Sequence, residues 1–551
     1  MEANRLLDVI EQQLDDGLVG IAIAVVADDA VRWSGAFGRL DVDRPDPVTI
    51  RTVFPVQSVS KSIVATALMR WVERGGVGLD DPVHRHLRPL EIANEWEAER
   101  PITIRQLLTH TAGLPMSLGW GTSPSLEALV GDEVRTEAEP GTRLIYANWG
   151  YDVLGYLLSR LAGTAWDAAV RDAVLDPLAM SATHAATSES RSDAPTGHAV
   201  SQFDGTVMRL NPPEWPFEPG PPSGSLTSNV EDLARFLIAH LTESGAGIAP
   251  ATFADMHRLH APLGAGGGGM GLGFRVDQRG GRAFFCHVGD GSGFTTFVGG
   301  HPDERVGVVL LMNAGGAETA RAALVRAALE WALDDAPHRA VPAPAALRPP
   351  VGRYRSTYWG LGAEVSAADG VPTVAMASSS LGEAANVGRL TEVGGRWRAE
   401  GGMFDGCELD FDVTDAGPRF CGGLYPFEFL ADDTPAVALP TSVDETGDLS
   451  GVWIGTMDSP VGPVPLRLDV GVGVVRAELM DVADTDTRAV AAGGWIRAQF
   501  AFEIAGFGAI EMMMRLGLTT PGLVGLVYAR HPTGELAIPA ALAREGAPIV
   551  P

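Results

Sequence analysis

One lysine stands among the 551 residues of this chain, and it is Lys61; every other basic side chain apart from the histidines is arginine. Arginine stays protonated in proteins, whereas a desolvated lysine can become a neutral amine and accept a proton. Lys61 lies three residues after Ser58, in Ser58-Val59-Ser60-Lys61, at the start of a helical run that continues to Arg70. Positions three apart share a helix face, so hydroxyl and amine can meet. The helix N-terminus favours an alkoxide there and disfavours a protonated amine. That is the layout of an activated serine nucleophile with a lysine base. By itself the same spacing also suits a capping serine followed by a solvated lysine.

Two further groupings could join it. Tyr146-Ala147-Asn148 precedes the helical run 149–162. Residues two apart in an extended turn point the same way, so a phenol that relays a proton and an amide that holds a carbonyl could reach one site. A core tyrosine with a capping asparagine reads equally well from the tripeptide alone. His287-Val288-Gly289 closes an apolar strand, with His287 and Gly289 on one face and Cys286 on the other. Gly289 leaves room for a substrate backbone, and main-chain N–H groups there can serve an oxyanion hole.

The elements that must position these groups come in a simple order. A helix over 4–17 is followed by strands over 20–26 and 31–37, then the nucleophile helix, which stops at Gly75-Gly76. Helices and loops fill 79–250, with a Pro- and Trp-rich stretch at 211–222. Strands return over 282–288, 293–298 and 305–312, and a helix covers 317–334. The expectation is an α+β fold: an α/β sandwich, its antiparallel sheet flanked by helices and joined to a helical region, closed by the two ends of a segment spanning 1–335. An Ala- and Pro-rich linker follows over 336–350. Beyond it short strands with Gly and Asp turns take over. Val351-Gly352-Arg353-Tyr354-Arg355-Ser356 is echoed by Ser450-Gly451-Val452-Trp453-Ile454-Gly455, which predicts two small antiparallel β-barrel domains, at 351–440 and 447–551.

The formal charge of −28 argues against nucleic acid and anionic membrane surfaces as partners. No window reaches the roughly 20 apolar residues of a membrane span. The N-terminal residues read as an amphipathic helix, not a signal peptide, which makes a cytoplasmic protein the expectation. Cys286, Cys407 and Cys421 are too few and scattered for a disulfide framework or zinc site and read as reduced core thiols. Gly266-Gly267-Gly268-Gly269 lacks the Lys-Ser/Thr of a phosphate loop, His84-Arg85-His86 lacks metal-ligand spacing, and Gly291-Ser292-Gly293 reads as a turn between strands. No cofactor and no metal are expected.

Taken together, Ser-x-x-Lys, Tyr-x-Asn and His-x-Gly, with the stretches Gln106 to Pro115 and Ser223 to Phe236, resemble the penicillin-recognising serine hydrolases. That group contains class C β-lactamases, DD-peptidases, esterases and D-aminopeptidases, and the resemblance covers residues 4–334. It implies a β-lactamase-like fold with Ser58 as nucleophile, Lys61 and Tyr146 handling its proton, and Asn148 positioning the substrate. His287 and Gly289 would take the place of a Lys-Thr-Gly motif, and the backbone N–H groups of Ser58 and Asp290 would form the oxyanion hole. A histidine in place of that lysine weakens the fixed charge that would hold a substrate carboxylate, which counts against a dedicated β-lactamase or carboxypeptidase. His-x-Gly followed by two β-domains most resembles the three-domain bacterial D-aminopeptidases. By that likeness one of Asp481, Asp484 and Asp486, or Asp290, meets a substrate ammonium. The resemblance thus implies acyl-enzyme hydrolysis of amides of small peptides or amino acids. Its alternatives are a promiscuous carboxylesterase or weak β-lactamase, and a penicillin-binding sensor that acylates and stalls. The partner is a small molecule or short peptide, and a homo-oligomer such as a dimer is compatible with the chain.

Overall fold

The computed structural model describes residues 4–333 apart from 89–90, 116–122, 187–193, 201–206, 211–216, 263–267, 280–281 and 316, and beyond them residue 349, residues 448–450 and the strands between 352 and 544. Helix α1 (Asn4–Asp15) leads into strands β1 (Gly20–Ala27), β2 (Ala30–Asp41) and β3 (Arg44–Pro47). Helix α2 (Val59–Glu73) carries the candidate nucleophile, α3 (Asn148–Ala162) follows the Tyr146 loop, and α4 (Val230–Leu241) precedes the return to the sheet. That return supplies β4 (Ala261–Pro262), β5 (Gly269–Met270), β6 (Arg275–Arg279), β7 (Arg282–Gly291), β8 (Phe294–His301) and β9 (Val306–Met312), and α5 (Glu318–Leu333) ends it.

The nine strands form one sheet in the order β3-β2-β1-β9-β8-β7-β6-β5-β4. Strand β1 pairs antiparallel with β9, Ile21 opposite Met312 through Ala27 opposite Val306, so an early and a late segment meet at its centre. The expected sandwich is present, with short strands added at its margins that the sequence reading did not include.

Alternation along β1 builds both layers. Ile21, Ile23 and Val25 pack with Leu6 and Ile10 of α1 and Leu324, Ala328 and Leu329 of α5. Ala22, Ala24 and Val26 face the other way, into a core shared with Val59, Ile63 and Val64 of α2 and Leu233 and Leu237 of α4. Period-two alternation of apolar residues is what lets one strand serve two hydrophobic layers. In α2 every residue from Val59 to Met69 is buried. A helix apolar on all sides lies inside the protein, and this one carries the lone lysine inward with it.

Beyond the linker, eight strands between Gly352 and Phe429 pair in sequence, and the first pairs also with the last, Tyr354 opposite Phe429. A second array between Gly451 and Arg544 has nine strands. Two small barrels were expected there; among the described residues the margins of the second array are not paired with each other. Its margins are Val482–Ala483 and Thr487–Ala492. Val482–Ala483 is two residues long and pairs with Val474–Leu479. Cys286 is a buried free thiol, whereas Cys407 lies outside the described residues. Among the described residues no helix is long and apolar enough to cross a membrane.

Candidate active site

Ser58 sits on a tight turn at the head of α2. Gln57, just before it, has φ +49°, a left-handed conformation that costs a non-glycine residue about 1–3 kcal/mol and persists only where the surroundings impose it. The Gln57 amide donates to the Gly291 carbonyl at 3.2 Å, tying the turn to the end of β7. Ser58 makes no side-chain capping bond to the helix. Its hydroxyl instead faces Lys61, whose Nζ lies 3.0 Å from Ser58 Oγ and donates to the Ser223 carbonyl at 2.7 Å. The capping alternative is therefore excluded.

Lys61 is fully buried. Burial lowers its pKa to about 7, with the Asp152 carboxylate pulling the other way. Its Nζ lies 5.0 Å from the ring centre of Tyr146 and 5.8 Å from that of Tyr151. The segment carrying Ser223 is clamped beside it: the Leu226 N–H donates to Ser60 Oγ at 3.1 Å, the Val56 N–H donates to the Leu226 carbonyl at 2.9 Å, and Phe54–Pro55 pairs with Leu226–Ser228.

Tyr146 is held by a histidine that sequence reasoning gave no role. The His110 ring stacks on Tyr146 with centroids 4.2 Å apart, and its Nδ1 accepts the Ala147 N–H at 3.1 Å. The Ile145 N–H donates to the His110 carbonyl at 2.8 Å, and the Tyr151 hydroxyl to the Leu108 carbonyl at 2.8 Å. The stretch from Gln106 to Pro115 is thus the brace behind the Tyr146 loop. Asn148 opens α3 and is buried.

His287 faces Tyr146, centroids 6.5 Å apart. It is buried, with Nδ1–H donating to the Val288 carbonyl at 2.7 Å. Burial, reinforced by the nearby lysine, lowers its pKa to about 3. The ring is neutral and supplies no fixed charge. Gly289 packs against the nucleophile turn. A Cβ there would meet the Val56 carbonyl oxygen at 2.3 Å and the Ser58 nitrogen at 3.2 Å, so glycine lets β7 lie against the nucleophile turn itself. The Asp290 side chain accepts from Arg321 of α5 at 2.6 Å. Alternation turns it away from His287 and Gly289. Asp481, Asp484 and Asp486 lie outside the described residues.

Beyond Cys286, where the β6 pairing ends, β7 has no strand on its outer side among the described residues, although β8 stays paired through Gly291. Ser58, Lys61, Tyr146 and His287 therefore gather beside an open strand margin.

The beta-lactamase family model matches residues 7–331. This chain belongs to the beta-lactamase family. Protein flp of Staphylococcus aureus (strain MRSA252) is 23% identical over 317 residues, 55% of this chain and 62% of that protein. The chain thus spans about three fifths of that relative's length. Esterase EstB of Burkholderia gladioli is 31% identical over 308 residues, 49% of this chain and 78% of its own. Among solved structures, EstCE1, a hydrolase with promiscuous acyltransferase activity, superposes with a TM-score of 0.52 at 24% identity, covering 59% of this chain and 98% of that one. The octameric penicillin-binding protein homologue from Pyrococcus abyssi gives 0.51 at 23% identity, covering 78% and 100%. Both share the fold.

Within this beta-lactamase-family fold, Ser58, Lys61 and Tyr146 lie together, as their motifs led one to expect. Sequence reasoning missed Asp152, buried behind the lysine, whose Oδ1 accepts the Ser223 N–H at 3.0 Å. Burial pushes its carboxyl up to about 6, against the Ser223 hydrogen bond and the lysine charge. The signal was present: a carboxylate four residues after Asn148, among Tyr151, Val153, Leu154 and Leu157, all buried.

Proposed function

We propose that the protein hydrolyses small uncharged esters through a Ser58 acyl-enzyme, with Lys61 as the base. The observation that carries this reading is the buried amine 3.0 Å from Ser58 Oγ, with a pKa low enough for much of it to be neutral near pH 7. In the proposed cycle Ser58 Oγ bonds to the substrate carbonyl carbon while its proton passes to Lys61 Nζ. The oxyanion draws on the Ser58 and Asp290 N–H groups. Collapse breaks the bond to the leaving alcohol or amine, which takes its proton from the lysine side through Tyr146. Water then adds to the acyl carbon, returns a proton by the same route and frees the acid.

Substrate class follows from charge. A neutral His287 offers a carboxylate-bearing substrate no fixed cation, which disfavours penicillins and C-terminal carboxylates. An aminopeptidase needs an acid for the free amine, and Asp290 is engaged by Arg321. The relative named an esterase, at 31% identity, leans the same way. Asn148 is read as the group holding the substrate carbonyl side. The strand arrays after 350 are read as separate β-domains, with boundaries as expected from the sequence, and the octamer formed by the Pyrococcus abyssi homologue makes homo-oligomerisation part of the proposal.

The test sets p-nitrophenyl butyrate beside D-alanine p-nitroanilide, its L-isomer and a chromogenic cephalosporin, with mass spectrometry of Ser58. Turnover of the ester with a transient Ser58 adduct supports the reading. Cleavage of the free D-anilide above the ester selects the D-aminopeptidase, and a lasting adduct without turnover selects the acylating sensor.

A further inference from the structure

Behind Lys61 lies a carboxylate that the proposed cycle does not use. Asp152 is fully buried, and both the side chain and the N–H of Ser223 act on its carboxylate. Its Oδ1 accepts the Ser223 N–H at 3.0 Å, and the carbonyl of that same residue accepts from Lys61 Nζ at 2.7 Å. A single residue's main chain therefore links carboxylate and amine.

The contact is built, not incidental. A Cβ on Gly155, one turn after Asp152, would come within 2.2 Å of Pro222 Cγ, so α3 presses directly on the Pro221–Ser223 turn. That turn is closed by Ser225 N–H donating to the Pro221 carbonyl at 3.0 Å. The clamps from Ser60 and Val56 hold its far side. A buried carboxylate is costly to a fold unless a charge or hydrogen bonds compensate it. Here Ser223 supplies hydrogen bonds and Lys61 the charge.

We infer that Asp152 is a positioning residue of the Ser58–Lys61 pair, which aims the lysine through the Ser223 peptide and stabilises the lysinium formed when Ser58 is deprotonated. This rests on Lys61 as the base. In this step the proton moves from Ser58 Oγ to the Nζ lone pair and not on to Asp152. Asp152 stays a carboxylate throughout, much as a buried acid supports an imidazolium in a serine triad. The other titratable groups around Lys61 are His110, His287, Tyr146 and Tyr151. Burial keeps both histidines neutral, and the Tyr151 hydroxyl is committed to Leu108. Among the described residues, Asp152 is the one carboxylate acting on the lysine.

Asp152→Asn keeps the shape and an acceptor for the Ser223 N–H while removing the charge. With that charge gone, the lysine deprotonates more readily, so the acid limb of kcat/KM for p-nitrophenyl butyrate should move down by about one pH unit. The plateau kcat should fall about tenfold or more, with KM within about twofold. A variant with the native midpoint and plateau overturns the inference, and so does one whose loss is confined to thermal stability. Should the variant not fold, the native protein carries its own test. With one lysine in the chain, [13Cε]lysine labelling gives one resonance. An inflection in it from Asp152 ionisation, separate from that of the amine, is expected, and a single-step titration refutes the coupling. Activity in Lys61→Arg would sink the base reading itself. An inactive Lys61→Arg beside an unaltered Asp152→Asn would sink this inference alone.

Discussion

Lys61 is held more closely by Ser223 than by its neighbour on the helix: 2.7 Å from the Ser223 carbonyl oxygen against 3.0 Å from Ser58 Oγ. A carbonyl can only accept, so one N–H of the amine is committed to it. A neutral amine so anchored can turn its lone pair toward the serine. Arginine keeps the charge and has no lone pair to offer. Lys61→Arg is expected to lower kcat/KM by about two to four orders of magnitude, and Ser58→Ala to abolish the acyl adduct. Ester turnover and intact mass on matched preparations check both.

The same amine sets the pH dependence. Its folded pKa, lowered to about 7 by burial, marks where the active, neutral form appears. Activity should therefore be low in acid and rise through a midpoint near 7 as pH increases. His287 is the rival owner of such a limb, but its ring stays neutral down to about 3. His287→Gln should leave the midpoint in place while changing KM. A limb that vanishes in His287→Gln would transfer the assignment to the histidine.

Gly289 predicts a steric failure at a distance from substrate. A methyl group there meets the Val56 carbonyl oxygen at 2.3 Å and the Ser58 nitrogen at 3.2 Å. Neither backbone atom can yield without moving the nucleophile. Gly289→Ala should destabilise by about 1–3 kcal/mol and reduce kcat about a hundredfold, as expected for a nucleophile displaced by a fraction of its working distance. Thermal unfolding and kcat measured together separate the two effects.

Asp290 predicts a near-silent change. Its carboxylate is paired with Arg321 at 2.6 Å on the side facing α5. Asp290→Asn should cost less than about 1 kcal/mol, the range of partly exposed ion pairs, and leave KM for free-amine substrates unaltered. A rise in that KM would return the residue to the substrate site.

How far the site could be read in advance depended on how local each relationship is. Ser58 and Lys61 were legible because helical periodicity alone brings residues three apart together. The face shared by His287 and Gly289 follows from strand alternation in the same way. Asp152 was not, because its meaning depends on Ser223, which sequence separates from it and only loop packing brings near. The role of His110 stayed hidden for the same reason: stacking on Tyr146 is a property of two loops. In the sheet, β1, β2 and the last three strands were visible as apolar runs, with ends off by up to four residues, at Asp41. Strands β3 to β6 are short and carry little periodic signal.

The margin of β7 beyond Cys286 has a consequence of another kind. An unpaired strand edge offers main-chain donors and acceptors to whatever lies along it. A ligand held there in extended form would be gripped by its own backbone, and such a grip takes little account of which side chains it bears. It does depend on handedness, because inverting one centre swings its substituent from one face of the added strand to the other. A groove of this design would be tolerant in composition and strict in stereochemistry.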